Sequence, residues 1–173
     1  MNKIEFLKDQ FIETRKFTQR LIDELPEDKW FVIPENTDSN FAWQIGHILA
    51  AQNFHTLIVI CGRNSKIIES IPLDRYNKIC YGMGSQHRSM PNNFVSAKKL
   101  KEDLDLVFNI SIENLLTLSE DQLYDKLEPI PFKHPIADIK YEALAWSYKH
   151  EMWHCAEMEE LKRLLGYPIK WLR

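Results

Sequence analysis

The 173-residue chain has little of several things that mark particular classes of protein. It holds only 5 Gly and 8 Pro, which is too few for long disordered tracts. Its three cysteines, Cys61, Cys80 and Cys155, are odd in number and widely spaced, so we expect no disulfide framework and a reducing, cytoplasmic location. Basic clusters are missing and the net charge is -3, so nucleic acid is not an expected partner.

Long hydrophobic runs are missing too. The longest, residues 54–61, falls well short of the ~18 apolar residues that indicate a membrane-spanning helix. Charged residues within the first five positions leave no apolar core for a signal peptide, so neither export nor a membrane partner is expected. What the chain does have is an ordinary globular composition, 45% hydrophobic and 27% charged, which predicts one domain over residues 1–173.

Apolar residues recur at helical spacing in four long stretches, and no series of strands stands out. The stretches run over residues 3–24, 40–61, 96–118 and 136–165. The residues expected to begin or end these helices are Ser39, Ser96 and Pro135 at the starts, and Gly62 and Gly166 at the ends. The link over residues 62–91 is long enough to run the length of a bundle. The sequence therefore predicts an all-α four-helix bundle with a long connection between its second and third helices.

Two histidines, His150 and His154, lie four residues apart on the inner face of the last stretch. Residues i and i+4 of an α-helix share one face, with side chains roughly 6 Å apart, so two imidazoles there can chelate one metal ion. His47 lies on the inner face of the second stretch. Alone, such a histidine is more often a hydrogen-bonded core residue, but the middles of facing helices converge in a bundle. We therefore expect the three histidines to form one metal site.

Three imidazoles narrow the chemistry of such a site. Neutral nitrogen ligands suit zinc, nickel, copper or iron, with zinc or nickel our first expectation, and they do not suit calcium or magnesium. Three protein ligands leave at least one coordination position open, which is typical of catalytic sites, whereas a closed structural zinc site has four. A metal held in this way can acidify a bound water or hold a substrate thiolate.

These residues and their order resemble a known family. The segment Trp43-x-x-Gly46-His47 on the second helix and His150-x-x-x-His154 on the fourth are similar to the DinB/YfiT-like superfamily, as is the long connection with its Tyr-Gly-x-Gly-Ser stretch. The resemblance covers nearly the whole chain. It implies a four-helix bundle, often a homodimer, with a divalent metal held by the three histidines.

The same resemblance implies a range of activities for a small-molecule substrate. Characterised relatives include S-transferases and isomerases that use a low-molecular-weight thiol, bacillithiol or mycothiol, and many others have no known reaction. We therefore expect a metal-dependent hydrolase or a thiol-dependent S-transferase. The alternative is a non-catalytic bundle that binds a metal or a ligand.

The chain departs from the family pattern after His154. Relatives often continue with Arg-Gly-Gln, and this chain has Cys155-Ala156-Glu157. Glu157 is the candidate catalytic residue, because a carboxylate three residues past His154 can orient a histidine or accept a proton from bound water. The alternative interpretation is a carboxylate on the rim of the helix.

The remaining histidines and the connecting segment are expected to have simpler roles. His55 is ~12 Å along the helix from His47, so we expect it on the helix surface or at an interface. His87 and His134 lie in predicted connections, from which either could reach the mouth of the site, although exposure is the default expectation. Residues 81–90, which include Arg88, form either a lid or anion-binding lip over the metal or a plain connector.

Cysteine, acidic and aromatic residues near the candidate ligands complete the list. We expect Glu151 to be a solvated helix charge, and Cys155 to point about 100° away from His154. Cys61 is expected to be a small buried hydrophobe. The residues that either wall a pocket or merely pack are Trp43, Trp146 and Trp153.

Overall fold

The structure is a computed structural model that describes residues 2–81 and 88–168. The predicted all-α class is confirmed for this part of the chain, which forms no strand and only isolated bridges such as Ser39–Arg88. None of its helices has the length and apolar character needed to cross a membrane. Residues 82–87 of the candidate lip, which include Ser85 and His87, lie outside the described residues.

The first helix, α1 (Lys3–Asp23), matches the predicted stretch. Asn2 caps it by accepting a hydrogen bond from the backbone N–H of Glu5 at 2.8 Å. Its predicted inner face is buried, with Leu7 and Leu21 fully enclosed. Burial of this apolar face stabilises the helix, because isolated helices of this length are marginal in water.

The second helix, α2 (Phe41–Asn53), begins at a different cap from the one predicted. Asn40 is the N-cap, and its side-chain oxygen accepts from the backbone N–H of Trp43 at 2.9 Å. Ser39 instead accepts a hydrogen bond from the side chain of Gln44 at 3.0 Å. The prediction of Ser39 was wrong because serine and asparagine are comparably good caps, so composition alone could not choose between neighbours.

A π-helical turn, Phe54–Ile58, follows α2 and leads into α3 (Val59–Cys61). Gly62 ends this helix as predicted, in a positive-φ conformation of 87°. A π turn takes more residues than an α turn, so later side chains rotate away from the face that an α-helical pattern predicts. Cys61 is exposed for this reason, and the prediction that it is a buried hydrophobe was wrong.

The long connection to the next helix is itself largely helical. It contains α4 (Ser65–Ser70), α5 (Leu73–Tyr76) and a second π turn, Asn77–Tyr81. Tyr76 is fully buried, and its hydroxyl donates to Asp103 at 2.9 Å. Asp103 lies on α6 (Ala97–Leu115), whose predicted cap Ser96 accepts from the backbone N–H of Lys99. The connection is therefore anchored to the helix that follows it.

The last helix, α7 (Lys140–Leu164), starts four residues later than predicted. Pro135 is not its entry, because side chains hold the preceding backbone in turns. His134 Nδ1 accepts from the backbone N–H of Ala137 at 2.9 Å, and Glu142 accepts from that of Asp138 at 2.8 Å. The helix ends before Gly166, which has a φ of 87°, as predicted.

The helices pack so that two of them face each other across the core. Helix α2 packs against α6 and α7, and α1 packs against α7 and, over a smaller area, against α6. The α2–α7 contact brings the middle of one histidine-bearing helix against the middle of the other. A core that includes Phe41, Ile48, Leu104 and Met158 surrounds this contact.

Candidate metal centre

The three histidines predicted to bind metal meet at one point between α2 and α7. The Nε2 atom of His150 lies 3.3 Å from Nε2 of His47 and 3.2 Å from Nε2 of His154. One ligand atom from each ring lies within 4.8 Å of the other two. His154 is buried, and the other two rings are half-buried. The i, i+4 spacing and the facing helices therefore do what the sequence pattern predicts.

The other nitrogen of two rings is held by an oxygen that can only accept. His47 Nδ1 is 2.5 Å from the carbonyl oxygen of Cys80, and His154 Nδ1 is 2.7 Å from Oε1 of Gln44. In the neutral ring the proton must therefore sit on Nδ1, which leaves the lone pair on Nε2, pointing at the centre. No partner for Nδ1 of His150 lies within residues 2–81 and 88–168, so contacts there do not fix its tautomer.

Burial keeps two of the three rings, those of His47 and His150, uncharged. Loss of solvation, strengthened by the nearby His154, lowers the pKa of His47 to about 4. Loss of solvation and the two neighbouring rings lower the pKa of His150 to about 2. Rings with such values are neutral near pH 7, which is the form that binds a metal. Three neutral nitrogens, two of them in a fixed tautomer, fit zinc, nickel or another divalent transition metal.

Gly46 explains how the carbonyl of Cys80 reaches His47. A Cβ at position 46 would lie 2.7 Å from Sγ of Cys80 and 2.7 Å from the terminal methyl of Met90. Contacts that short do not occur without a shift of the neighbours, so glycine permits the connection to press against α2. The Gly-His pair of the sequence motif thus has a physical reason, since the glycine admits the group that orients the histidine.

Trp43 forms one wall of the centre. Its ring stacks on His47, with centroids 4.9 Å apart and planes 11° from parallel, and its indole N–H donates to Ile79. Trp146 lies beside the third ring, 5.8 Å from His150. Trp153 is 62% exposed and contacts only the edge of Trp146 among these aromatic groups. Of the three tryptophans weighed as pocket walls, two therefore border the histidines.

Glu157 reaches the centre through Gln44. The Gln44 amide donates to Glu157 at 2.8 Å, which fixes the amide so that its oxygen faces His154. Arg88 pairs with the same carboxylate, and the nearest Glu157 oxygen lies 3.7 Å from Nδ1 of His154. Interaction with His154, followed by the Gln44 hydrogen bond, lowers the pKa of Glu157 to about 2. A carboxylate held in this way is a weak base and a good orienting group.

Arg88 is the part of the candidate lip that the structure describes. Its guanidinium lies 5.3 Å from the centroid of the Trp43 ring, beside the Glu157 carboxylate, and its side chain is 39% exposed. Arg88 therefore lies at the rim of the metal centre, beside the Trp43 ring that is stacked on His47. The Gln44 link was missed in the sequence, where a glutamine one turn before His47 carries no signal of its own.

His55 and His134 are both buried, so the predictions that placed them on the surface were wrong. His134 Nδ1 accepts from two backbone N–H groups, those of Ile136 and Ala137. Its proton is therefore on Nε2, which donates to Nδ1 of His55 at 3.0 Å. The His55 ring lies 6.1 Å from that of His150, and burial lowers the pKa of His55 to about 3. The π turn that contains His55 turns it inward.

Glu151 is also buried, and the prediction of a solvated charge was wrong. It receives two hydrogen bonds from the guanidinium of Arg15, at 2.8 and 3.1 Å, and one from the hydroxyl of Thr18 at 2.6 Å. Arg15 lies on the inner face of α1, four residues after the buried Phe11, which is the sequence signal that was overlooked. Cys155 is buried against Thr18 at 3.1 Å, away from the metal ligands as expected.

Comparison with known proteins identifies the family of the chain. The chain matches the family model described as the DinB superfamily over residues 10–158, well over half of its length. The matched region includes all three histidines, Gln44 and Glu157. No curated protein matches the chain.

Proposed function

We propose that this chain, which belongs to the DinB superfamily, holds one divalent transition metal through His47, His150 and His154 and uses it in catalysis. The convergence of three Nε2 atoms carries this proposal, together with the oxygens that fix the tautomer of two rings. The packing of α1, α2, α6 and α7 supports the four-helix bundle that the family resemblance implies.

The chemistry that we assign is attack on an electrophilic small molecule by water or by a low-molecular-weight thiol. A metal with an open position supplies Lewis acidity, which lowers the pKa of water or of a thiol at that position. We do not assign the attacking thiol to Cys80 or Cys155, because both are buried and burial raises the pKa of each to about 12. Thiols with such values carry almost no thiolate at neutral pH.

Protein side chains then position the reaction. Gln44 and Glu157 keep the His154 ring oriented, and the stacked Trp43 limits access of water from one side. Arg88, at the rim, is suited to pair with an anionic group of the substrate. We assign Glu157 an orienting role first, because its low pKa makes it a poor proton acceptor.

A second candidate is a metal-binding bundle without turnover. It is favoured by the contacts of Glu157, because Gln44 and Arg88 both already engage its Oε2 atom. The two candidates differ in whether the fourth position of the metal accepts an external group. A site that binds metal tightly yet shows no response to added thiol or carboxylate would favour this second function.

The first experiment is elemental analysis of protein purified without added metal, followed by titration with cobalt(II) and visible spectroscopy. We expect one equivalent per chain and a spectrum that changes when a thiol is added. Protein that contains no transition metal and takes up none would contradict the proposal. Screening thiols against electrophilic and hydrolysable substrates then separates transfer from hydrolysis, and analytical ultracentrifugation tests the proposed homodimer.

A further inference from the structure

We propose that a second cavity, separate from the metal centre, binds a small organic anion. It has a volume of about 360 Å³ and lies where the end of α2 meets the connecting segment that contains α4 and α5. The lining residues that matter are Asn53, Ile58, Arg63, Ile68, Leu73 and Arg75. The lining includes none of the three candidate metal ligands.

Asn53 is the strongest sign that this cavity takes a ligand. Its side chain lines the cavity although the residue is only 3% exposed. Among the described residues, residues 2–81 and 88–168, no group makes a hydrogen bond with its side-chain amide. The amide atoms of Asn53 are not fully enclosed, since the fully buried side-chain atom without a partner among the described residues is Nε2 of Gln52. The Asn53 amide therefore faces the cavity, where it is available for a hydrogen bond. An occupant with a polar group would supply the missing partner.

Two arginines define the charge of the occupant. Arg63 and Arg75 line the cavity, and neither forms an ion pair with a carboxylate of the described residues. The Arg75 guanidinium lies 4.7 Å from the centroid of the Phe94 ring, a contact that holds it in place. Asp74 also lines the cavity and offsets one positive charge. The balance favours an occupant with one anionic group, a carboxylate or a phosphate, which arginine binds well.

Apart from Asn64 and Asn77, the rest of the lining is apolar. Ile58 and Leu73 are partly buried there, and Ile68 is 53% exposed although it belongs to a helix that buries its neighbour Ile67. A volume of this size is at the lower end for small-molecule sites. The occupant is therefore a small acid with a short aliphatic or aromatic body, its anionic group toward the arginines.

Position on the helix separates this cavity from the metal centre. Asn53 follows His47 by six residues, which is about 9 Å along the axis and about 120° around it. Asn53 therefore presents a different face of α2 from the one that carries the candidate ligand. A molecule bound there acts as a second ligand, whether or not the metal site is catalytic.

The test is a two-dimensional amide NMR titration of the zinc-loaded protein with hexanoate, inorganic phosphate and hexylamine. We expect saturable shifts of the Asn53 side-chain amide and of backbone amides of residues 63–75 with hexanoate. Phosphate should bind more weakly at the same place because it lacks the apolar body, and hexylamine should not bind. Shifts only at the histidines, equal binding of hexylamine, or no saturable shift would overturn the proposal.

Variants then test the residues. Arg63→Gln should weaken hexanoate binding about threefold, as expected for one exposed charge pair. Lys66→Gln, on the same segment but outside the lining, removes the same charge and should leave the affinity unchanged. Asn53→Leu should weaken binding further than Arg63→Gln. If that variant does not fold, the two exposed positions still decide, because equal effects at 63 and 66 would contradict the assignment.

Discussion

Two buried polar clusters lie side by side on α7 and behave in opposite ways. Glu151 belongs to a cluster in which donors meet acceptors, because Arg15 and Thr18 both donate to its carboxylate. His150, the preceding residue, belongs to a cluster in which three nitrogen atoms face one another. Apart from Nε2 of Gln52, which has no hydrogen-bond partner among the described residues, the polar groups of the first cluster are paired with one another. The second cluster fits a cation at its centre.

The difference shows that burial of polar groups does not by itself mark a functional site. Arg15 also donates to Oε1 of Gln52 at 2.7 Å and to the backbone carbonyl of Leu104 at 3.2 Å, so its positive charge is shared among several acceptors inside the helices. Such a network specifies packing and opposes any rearrangement. In the candidate metal centre, contacts with the protein instead orient the lone pairs of two rings toward a shared point. That orientation suits the binding of a metal ion.

The largest expected effect is on stability, and it comes from breaking the cluster of Glu151, Arg15 and Thr18. Glu151→Ala leaves the guanidinium of Arg15 buried without its partner, and we expect a loss of about 3–5 kcal/mol in the free energy of unfolding. Urea unfolding followed by circular dichroism measures it. The control Glu160→Ala removes an exposed ion pair of α7 and should change stability by less than about 1 kcal/mol. A loss of similar size in both variants would remove the distinction between the clusters.

Breaking the cluster of three histidines should instead affect metal affinity. His150→Ala removes one of three nitrogen ligands, and we expect cobalt(II) or zinc affinity to fall by about 100-fold or more, beyond the effect of losing an outer partner. The stability of the metal-free protein should change little, because the lost ring had no charged partner. Competition with a chelator gives the affinity, and Lys149→Ala, an exposed neighbour, is the control. Unchanged metal affinity would contradict the assignment. So would a large loss of stability in the metal-free variant.

Gly46→Ala tests whether the support of the metal centre is as specific as its ligands. The added methyl would overlap Sγ of Cys80 and the methyl of Met90. The flexible Met90 side chain can turn aside, but the short Cys80 side chain cannot do so easily, and we expect its backbone to shift away from α2. That movement removes the carbonyl that holds His47, and loss of such an outer partner typically lowers metal affinity 10- to 100-fold. Isothermal titration calorimetry measures this effect. Unchanged affinity would show that the Cys80 contact is not needed to orient the ring.

The helices and the histidine triad could be predicted from the sequence because both depend on local periodicity. Regular spacing of apolar residues identifies the inner face of each helix, and a histidine in the middle of such a face must point into the core. The N-cap of α2 could not be predicted, because Ser39 and Asn40 are neighbours and comparably good capping residues. The burial of Glu151 was equally hidden, because its partner Arg15 lies 136 positions away and pairs with it only in the packed protein.

The π turn is a different reason for failure. Cys61 and His55 were placed from an ideal α-helical pattern, and the extra residue in the turn changes the direction of both side chains. No residue type marks such a turn in this sequence. Two further contacts arise only in the packed protein. Cys80 meets His47 when the connection packs against α2, and Gln44 meets His154 when α2 packs against α7.

The smallest expected effect separates two roles of Glu157. Glu157→Gln keeps the shape of the side chain and removes the charge that pairs with Arg88. If Glu157 only holds Gln44 in place, a glutamine oxygen can still accept from the Gln44 amide, and metal affinity should fall less than tenfold. If Glu157 accepts protons, turnover should fall far more than affinity, and Glu157→Asp should not restore it. The ratio of the two losses, measured on the metal-loaded protein, therefore decides whether this residue belongs with the supports or with the reacting groups.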